Sequence, residues 1–433
     1  MLMQFVTYLK QASCSRKERS NIIMQDLIQE TARAGQMVIW EEAARDGGQA
    51  KTLMNAAQRI ALARAQGAMF GQHGPNQLIF GIGFPSICRE EFEIVRQVAA
   101  EVDNCAVTTA GRATKEDIDL NLEAVRGSSY GRFVFFFPVS APMCQTLLHE
   151  SPAKTLEHGL NMARYALDRA DGLPIDVALA DAPRADPNFV AEAALALAEE
   201  GVALVNLCDT VGDLYPYQSY EFTRAIVAQI ERAESKATLA VHLHNDLGFG
   251  LANNLEAIRA GVRVISTSWL GLAERTGLAA TEQVLFALSH KTEALAKWLG
   301  FEQPLWRTAP DLKQLVPLAQ QVSQITGVPL KVTDPIVGSG VNSISTGTPF
   351  TAPALFHPFN PQEVLGVPSQ IVLTHLASLR VVSAVAEELG FELNRAQAAI
   401  ALSWVKREAY QRNQAVVPRP EFASFLMGLT ALA

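Results

Sequence analysis

The 433-residue sequence is poor in charge: Asp, Glu, Lys and Arg make up 18% of it, below the roughly 25% of ordinary globular chains. Together with an apolar fraction of 49%, this excludes intrinsic disorder, which needs low hydrophobicity and high net charge. A basic block is also missing. Against 36 Lys plus Arg stand 44 Asp plus Glu, a net charge of -8, so there is no electrostatic footprint for nucleic acid. No apolar stretch approaches the ~18 residues that span a bilayer; the most apolar run, Phe133 to Val139, is strand-sized and contains Pro138. The five cysteines (Cys14, Cys88, Cys105, Cys144 and Cys208) never form a CxxC pair, so neither a disulfide framework nor a zinc-finger site is implied. The opening MLMQFVTYLKQASCSRKERS has its charge after its apolar residues and no secretory core with a cleavage site. The expectation is a globular protein of the reducing cytoplasm, with no nucleic-acid and no membrane partner.

What is present is a regular alternation. MVIW (37–40), LIFGIGF (78–84), CAVTT (105–109), RFVFFF (132–137), IDVALA (175–180), VALVNL (202–207), TLAVHLH (238–244) and VRVIST (262–267) read as short strands buried on both faces. Between them, segments such as EEFEIVRQVAAEV, KTLEHGLNMARYAL and NFVAEAALALAEEG have apolar residues at helical spacing, the last ending in a Glu-Gly stop. Alternating strand and helix implies right-handed βαβ units and a parallel sheet. Eight such units in about 290 residues predict an α/β fold, a closed (β/α)8 TIM barrel. Three regions follow: residues 1–35 as an N-terminal helical extension, 36–290 as the catalytic barrel, and 291–433 as a linker with helical subdomains. Within the last, 335–361 is rich in Gly, Pro, Ser and Thr, and helices are predicted at 311–326, 368–390 and 394–412.

The sharpest local feature is VHLHND, 241–246. His242 and His244 stand two apart on a predicted strand, so their side chains share a face. They are either a pair of metal ligands or two satisfied barrel histidines; imidazoles suit Zn, Mn, Co or Fe. A third ligand should be an oxygen donor at another strand end, and Asp46 in AARDGGQ is well placed. Alone, Asp46 reads as a loop cap.

Four segments, ARDGGQ (44–49), LCDTVGDLYP (207–216), VHLHNDLGFGLANNLEAIRAG (241–261) and GLAERTGLAATEQV (271–284), occur in this order. Together they resemble the DRE-TIM metallolyase superfamily, in its Claisen-condensing branch of 2-isopropylmalate, homocitrate and citramalate synthases. IGFPSICREEFEIVRQVA and DAPRADPNFV match weaker family segments, and TGVPL, DPIVG and VAEELGFEL are similar to parts of its helical subdomains.

The resemblance implies that Asp46, His242 and His244 hold a divalent metal ion (Zn, Mn, Mg or Co). It implies that Arg45 faces the keto oxygen and stabilises the oxyanion, and that Thr210 binds the 2-oxo acid carboxylate. Arg45, Thr210 and Glu274 form the expected catalytic set; Arg45, Thr210, Arg184 and Val134 are the expected substrate contacts. Asn245, Asp246 and Glu274 are expected to orient the metal histidines. The alternative for Arg45 is an ion pair with Glu41 or Glu42, and for Thr210 a hydroxyl bonded to backbone. The partners implied are a 2-oxo acid, an acyl-CoA and a second copy of the chain in a homodimer. Since regulated relatives continue into a further domain, feedback control through such a module is not expected.

Several positions depart from the family pattern. The second-strand Glu before Gly-Phe-Pro is Gly81, the fourth-strand His is Val134, and the Glu of Glu-Asp-Ala-x-Arg is Ala180, although Asp181 and Arg184 remain. The Asn of Gly-x-Gly-Glu-Arg-x-Gly-Asn is Leu278, nearer to the Ile of homocitrate synthases. The linker has no counterpart of the His-Glu-x-Gly-Ile-His stretch that helps move the proton; His357, His375 and Tyr410 are the substitutes offered by the helical region. The expected activity is condensation of an acyl-CoA, most simply acetyl-CoA, with a 2-oxo acid other than 2-oxoisovalerate or 2-oxoglutarate, one with an aromatic or aliphatic side chain, as in an amino-acid biosynthesis step. The alternatives are a metal-dependent carbon-carbon lyase or aldolase, or a non-catalytic metal-binding partner of a synthase. The lack of a Cys near GLAERTGL counts against a hydroxymethylglutaryl-CoA lyase.

Overall fold

The structure is a computed structural model that describes residues 26–302 and 304–431. Eight parallel strands close into a barrel in sequence order: β1 (Val38–Glu41), β2 (Leu78–Gly83), β3 (Ala106–Arg112), β4 (Gly131–Pro138), β5 (Ile175–Ala180), β6 (Val205–Asp209), β7 (Leu239–Leu243) and β8 (Val264–Thr267), with β8 pairing back onto β1. This is the TIM barrel expected from the sequence. The sixth strand lies further along than 202–207, and the amide of Leu204 just before it donates to Asp176 at 3.1 Å. The shift brings Cys208 and Asp209 into the strand.

The helices between strands start and stop where side chains satisfy their free backbone groups. Asn55 and Gln58 form a reciprocal box at the start of Ala56–Met69; Asp186 caps Pro187–Glu200, which Gly201 ends with a φ of 105°. Strand alternation then sorts the side chains. Phe133, Phe135 and Phe137 join the layer between sheet and helices, whereas Val38, Trp40, Ile79, Ala106, Ala110, Val134, Ala178, Cys208 and Ala240 fill the barrel interior.

The floor of the barrel is closed by the helix Leu27–Arg33, whose Ile28 and Ala32 pack into the interior. Residues 1–25 of the expected N-terminal extension lie outside the described residues. Arg132, inside a run that reads as apolar, forks onto Asp176 at 2.7 and 2.9 Å and reaches Asp26 at 2.6 Å. Asp26 also caps the floor helix through the amides of Ile28 and Gln29. One buried guanidinium thus joins the plug to the sheet.

Beyond β8, the chain from Leu299 to Leu365, including the helix Leu315–Thr326, contributes to the barrel's outer core. A second apolar cluster, Leu373 to Leu426, is built from the helices Leu379–Glu388, Arg395–Arg412 and Arg419–Ala431. The helix predicted over 368–390 is shorter than expected. Pro368 and the pairing of Gln370–Ile371 with Ser343–Ile344 hold its first part extended, and Ser378 caps the helix that follows.

Candidate metal centre and barrel mouth

The turn after β1 carries Arg45 and Asp46. Its amides at Arg45, Asp46 and Gly47 all donate to the carbonyl of Glu42, at 3.1, 2.8 and 3.1 Å. The turn is thereby folded back over the barrel mouth, with Asp46 at 1% exposure. Two strands away, across β8, His242 in β7 and His244 one residue beyond it share the inward face, their ring centroids 5.0 Å apart. Oδ2 of Asp46 lies 3.4 Å from Nε2 of His242. One ligand atom from each of Asp46, His242 and His244 falls within 4.8 Å of the others.

These three residues fit a divalent cation. Oδ2 of Asp46 is buried without a hydrogen-bond partner, an expensive state for a carboxylate oxygen unless a cation meets it. Burial pushes the Asp46 carboxyl up, but the charge of Arg45 and the neighbouring imidazoles of His242 and His244 outweigh it and hold the group well below the usual range, ionised. Burial, followed by the neighbouring His242, pushes His244 down to about 4, so at neutral pH its ring is uncharged and able to ligate. Nδ1 of His244 faces the carbonyl of Gly277 at 3.3 Å; donation there leaves Nε2 as the free lone pair.

The groups expected to orient the histidines are placed differently. Asn245 accepts from the amide of Gly250 at 2.7 Å and starts the next helix. Asp246 is held by Arg275 through two bonds of 2.9 Å, and Glu274 pairs with the same Arg275 at 3.3 Å, almost half exposed. Arg275 also donates to the carbonyl of Thr210 at 2.8 Å. It therefore ties the loops after β6, β7 and β8, a role with no signal in the sequence because it joins residues 65 and 29 positions apart.

Arg45 forks onto Glu42, Nε and Nη2 at 2.8 and 2.7 Å, with a side chain only 20% exposed. The ion pair weighed as an alternative is present, and it leaves Nη1 directed at Asp46 Oδ1, 3.7 Å away. Burial disfavours the guanidinium charge, but Glu42 and Asp46 more than offset it.

Thr210 stands just past β6. Its hydroxyl oxygen accepts from the amide of Asp181 at 2.9 Å, so the hydroxyl proton remains to be donated. The bond to backbone and the substrate role are thus compatible. Asp181, at a φ of 61°, is gripped by Arg184 at 2.7 Å through both nitrogens and receives the Ser140 hydroxyl. Arg184 is committed to shaping this loop, and its side chain is 43% exposed.

Val134 faces the interior at 6% exposure. Two residues on, Phe136 takes the same face at the mouth and meets Phe84 edge-on, ring centroids 6.2 Å apart. Phe84 is set by a buried pair: Arg59 bonds the carbonyl of Ile82 and forks onto Glu91, which accepts the amide of Phe84 at 3.2 Å. Neither aromatic was singled out from sequence; the alternation that placed Val134 inward would have found Phe136. His375 and Tyr410 pack on each other, ring centroids 5.8 Å apart, in the C-terminal helical cluster.

A family model described as HMGL-like matches residues 36–322. The 2-isopropylmalate synthase of Nitratidesulfovibrio vulgaris is 28% identical over 391 residues, 89% of this chain and 72% of that protein. Those of Oceanobacillus iheyensis and Nitrosomonas europaea are 29% and 30% identical over 71% and 72% of this chain, and here the match spans 57% and 58% of the relative's length. Solved hydroxymethylglutaryl-CoA lyases share the fold. The Bacillus subtilis structure aligns with a TM-score of 0.53 at 20% identity over 68% of this chain and 95% of its own; the Pseudomonas aeruginosa structure aligns with 0.52 at 21% over 67% and 93%.

Proposed function

Because this chain belongs to the HMGL-like family, we propose that it is a divalent-metal-dependent acyltransferase condensing an acyl-CoA, most simply acetyl-CoA, with a 2-oxo acid. The observation that carries the reading is the meeting of Arg45, Asp46, His242 and His244 at one barrel mouth from the two ends of the barrel sequence. The likeness to 2-isopropylmalate synthases supports a condensing reaction. In that reaction the acyl α-carbon gives up a proton and its C–H electron pair bonds to the ketone carbon, the ketone oxygen takes the C=O π pair and a proton, and water cleaves the thioester to leave a carboxylate and free CoA thiol.

Asp46, His242 and His244 would hold the cation, which when bound supplies Lewis-acid polarisation of a ketone. The chain's own groups complete the site. Nη1 of Arg45, not engaged by Glu42, offers its N–H groups to developing negative charge, in a setting where preorganised donors are most effective. The free proton of Thr210 serves the acid's carboxylate. Val134, Phe136 and Phe84 give the acceptor an apolar wall at the mouth. We assign an acceptor with an aliphatic or aromatic side chain, since a polar one would leave its groups unpaired against this wall.

The test is thiol release from acetyl-CoA across 2-oxo acids from pyruvate to phenylpyruvate and 2-oxoglutarate, with Mg, Mn or Zn. Release with an apolar acid, lost in Asp46→Ala, supports the reading. Equal turnover of 2-oxoglutarate overturns the acceptor class. Silence across the panel, with metal bound, overturns the condensation and returns the chain to cleavage or to a non-catalytic role.

A further inference from the structure

Residue 81 lies within β2, facing the barrel interior, and is glycine although no positive φ requires it there. The irregularity in the pairing of β2 with β3 is carried by Gly83, whose φ is 146°. A glycine inside a strand forfeits packing and rigidity, so it marks a place where something else comes close. Here that is one side chain. A Cβ on Gly81 would collide with Oε2 of Glu42 and stand 3.2 Å from Cβ of Arg45.

Glu42 has three attachments. Its amide donates to Thr267 of β8 at 2.9 Å; its carbonyl receives the three amides of the turn bearing Arg45 and Asp46; its carboxylate forks onto Nε and Nη2 of Arg45. Its side chain is 2% exposed. A two-bond fork fixes both the place and the plane of a guanidinium. Without it, the nearest anion to Arg45 is Oδ1 of Asp46, 3.7 Å away, and the guanidinium would close on the carboxylate that completes the metal centre.

We propose that Glu42 is the positioning residue for Arg45, occupying from the end of β1 the carboxylate slot that Gly81 leaves open on β2. Residues 42 and 81 share one space: a side chain at 81 is excluded while Glu42 is present, and a carboxylate from 81 can serve Arg45 once Glu42 is removed. The second-strand glutamate expected from the resemblance is therefore replaced rather than lost. The catalytic part of this inference rests on the proposed role of Arg45; the shared space rests on geometry alone.

The experiment is a cycle of Glu42→Ala, Gly81→Glu and the double variant, with Glu42→Gln as a shape-preserving control, in the full chain. Thermal melting reads the shared space without any activity. Gly81→Glu is expected to melt well below wild type and Glu42→Ala/Gly81→Glu above Gly81→Glu. Additive losses would overturn the shared slot. In the thiol-release assay, Glu42→Gln is expected to lower kcat about 10- to 100-fold, the cost of a misplaced catalytic group, with the KM for acetyl-CoA within about twofold, and the double variant to exceed Glu42→Ala. An unchanged kcat in Glu42→Gln would overturn the positioning role. Phenylpyruvate binding to the Mn-loaded chain by calorimetry separates the two readings. If wild type binds it but releases no thiol, the condensation fails. The positioning role then stands if Glu42→Gln binds phenylpyruvate at least tenfold more weakly, and falls if it binds equally.

Discussion

Oδ2 of Asp46 and Nε2 of His242 lie 3.4 Å apart, both buried, although 196 residues of sequence separate them; they come from the ends of β1 and β7, the two strands that flank β8. Only closure of the barrel makes this pair. Removing either should cost metal affinity beyond the ~10- to 100-fold that loss of an outer partner costs. The expected outcome is about one Co or Mn per wild-type chain by calorimetry and metal analysis, and binding weakened at least 100-fold in Asp46→Ala and His242→Ala. Undiminished binding in either would remove it from the ligand set.

Thr210 predicts a separation of two effects. Thr210→Ser keeps both the bond accepted from Asp181 and the proton to donate, and should act almost as wild type. Thr210→Val loses both. A hydrogen bond to a charged group contributes about 1.5–3 kcal/mol, so the KM for the 2-oxo acid should rise roughly 10- to 100-fold while that for acetyl-CoA stays close to its wild-type value. Initial rates at varied concentrations of each substrate check this.

The aromatic wall gives a selectivity prediction. Phe136→Ala should lower the ratio of kcat/KM for phenylpyruvate over pyruvate by about tenfold or more, as removal of apolar contact costs about 1–3 kcal/mol. A ratio that does not move would place the acceptor side chain elsewhere.

At the barrel floor the buried fork between Arg132 and Asp176 should matter for stability alone. Asp176→Ala leaves a guanidinium at 2% exposure with only Asp26 to pair with, and breaking such a pair costs about 3–5 kcal/mol. Replacing both partners, as in Arg132→Met/Asp176→Leu, should cost less than Asp176→Ala. Urea unfolding measures both.

Glu41 provides a pH test. Burial pushes its carboxyl up to about 8, against the amides of Trp269 and Ala43 that favour the charged form. The folded state therefore holds a proton that the unfolded chain releases near pH 4.5. Between these values the native state binds more protons, so this group's contribution to stability is full below about pH 4.5 and is lost as pH rises towards 8. Glu41→Gln should flatten that decline and melt above wild type at pH 8, with little difference at pH 5. The same slope in both would show that other groups set the pH dependence.

The sequence carried far more of this fold than a few motifs. Strands buried on both faces read as uninterrupted apolar runs, which is why all eight were found in order. The two-residue spacing of His242 and His244 placed them on one face without any partner in view. What escaped was whatever depended on distant polar partners. Arg132 looked like the polar edge of an apolar strand, and Arg275 like a loop residue, since their roles need Asp176, Asp26, Asp246 and the carbonyl of Thr210. The apolar spacing of 368–378 permits a helix; the pairing of Gln370–Ile371 with Ser343–Ile344 overrides that local preference.

By itself, the sequence determined the strand count, the inward faces and the residue types able to hold a cation, because these follow from periods of two and 3.6 residues and from the chemistry of imidazole and carboxylate. Tertiary structure decided the rest. It turned Gly81 from a missing carboxylate into the space for Glu42, gave Thr210 a hydroxyl with its proton free, and left one oxygen of Asp46 unpaired beside two histidines. Those facts depend on distances between strands that are far apart in the chain, and only the closed barrel sets them.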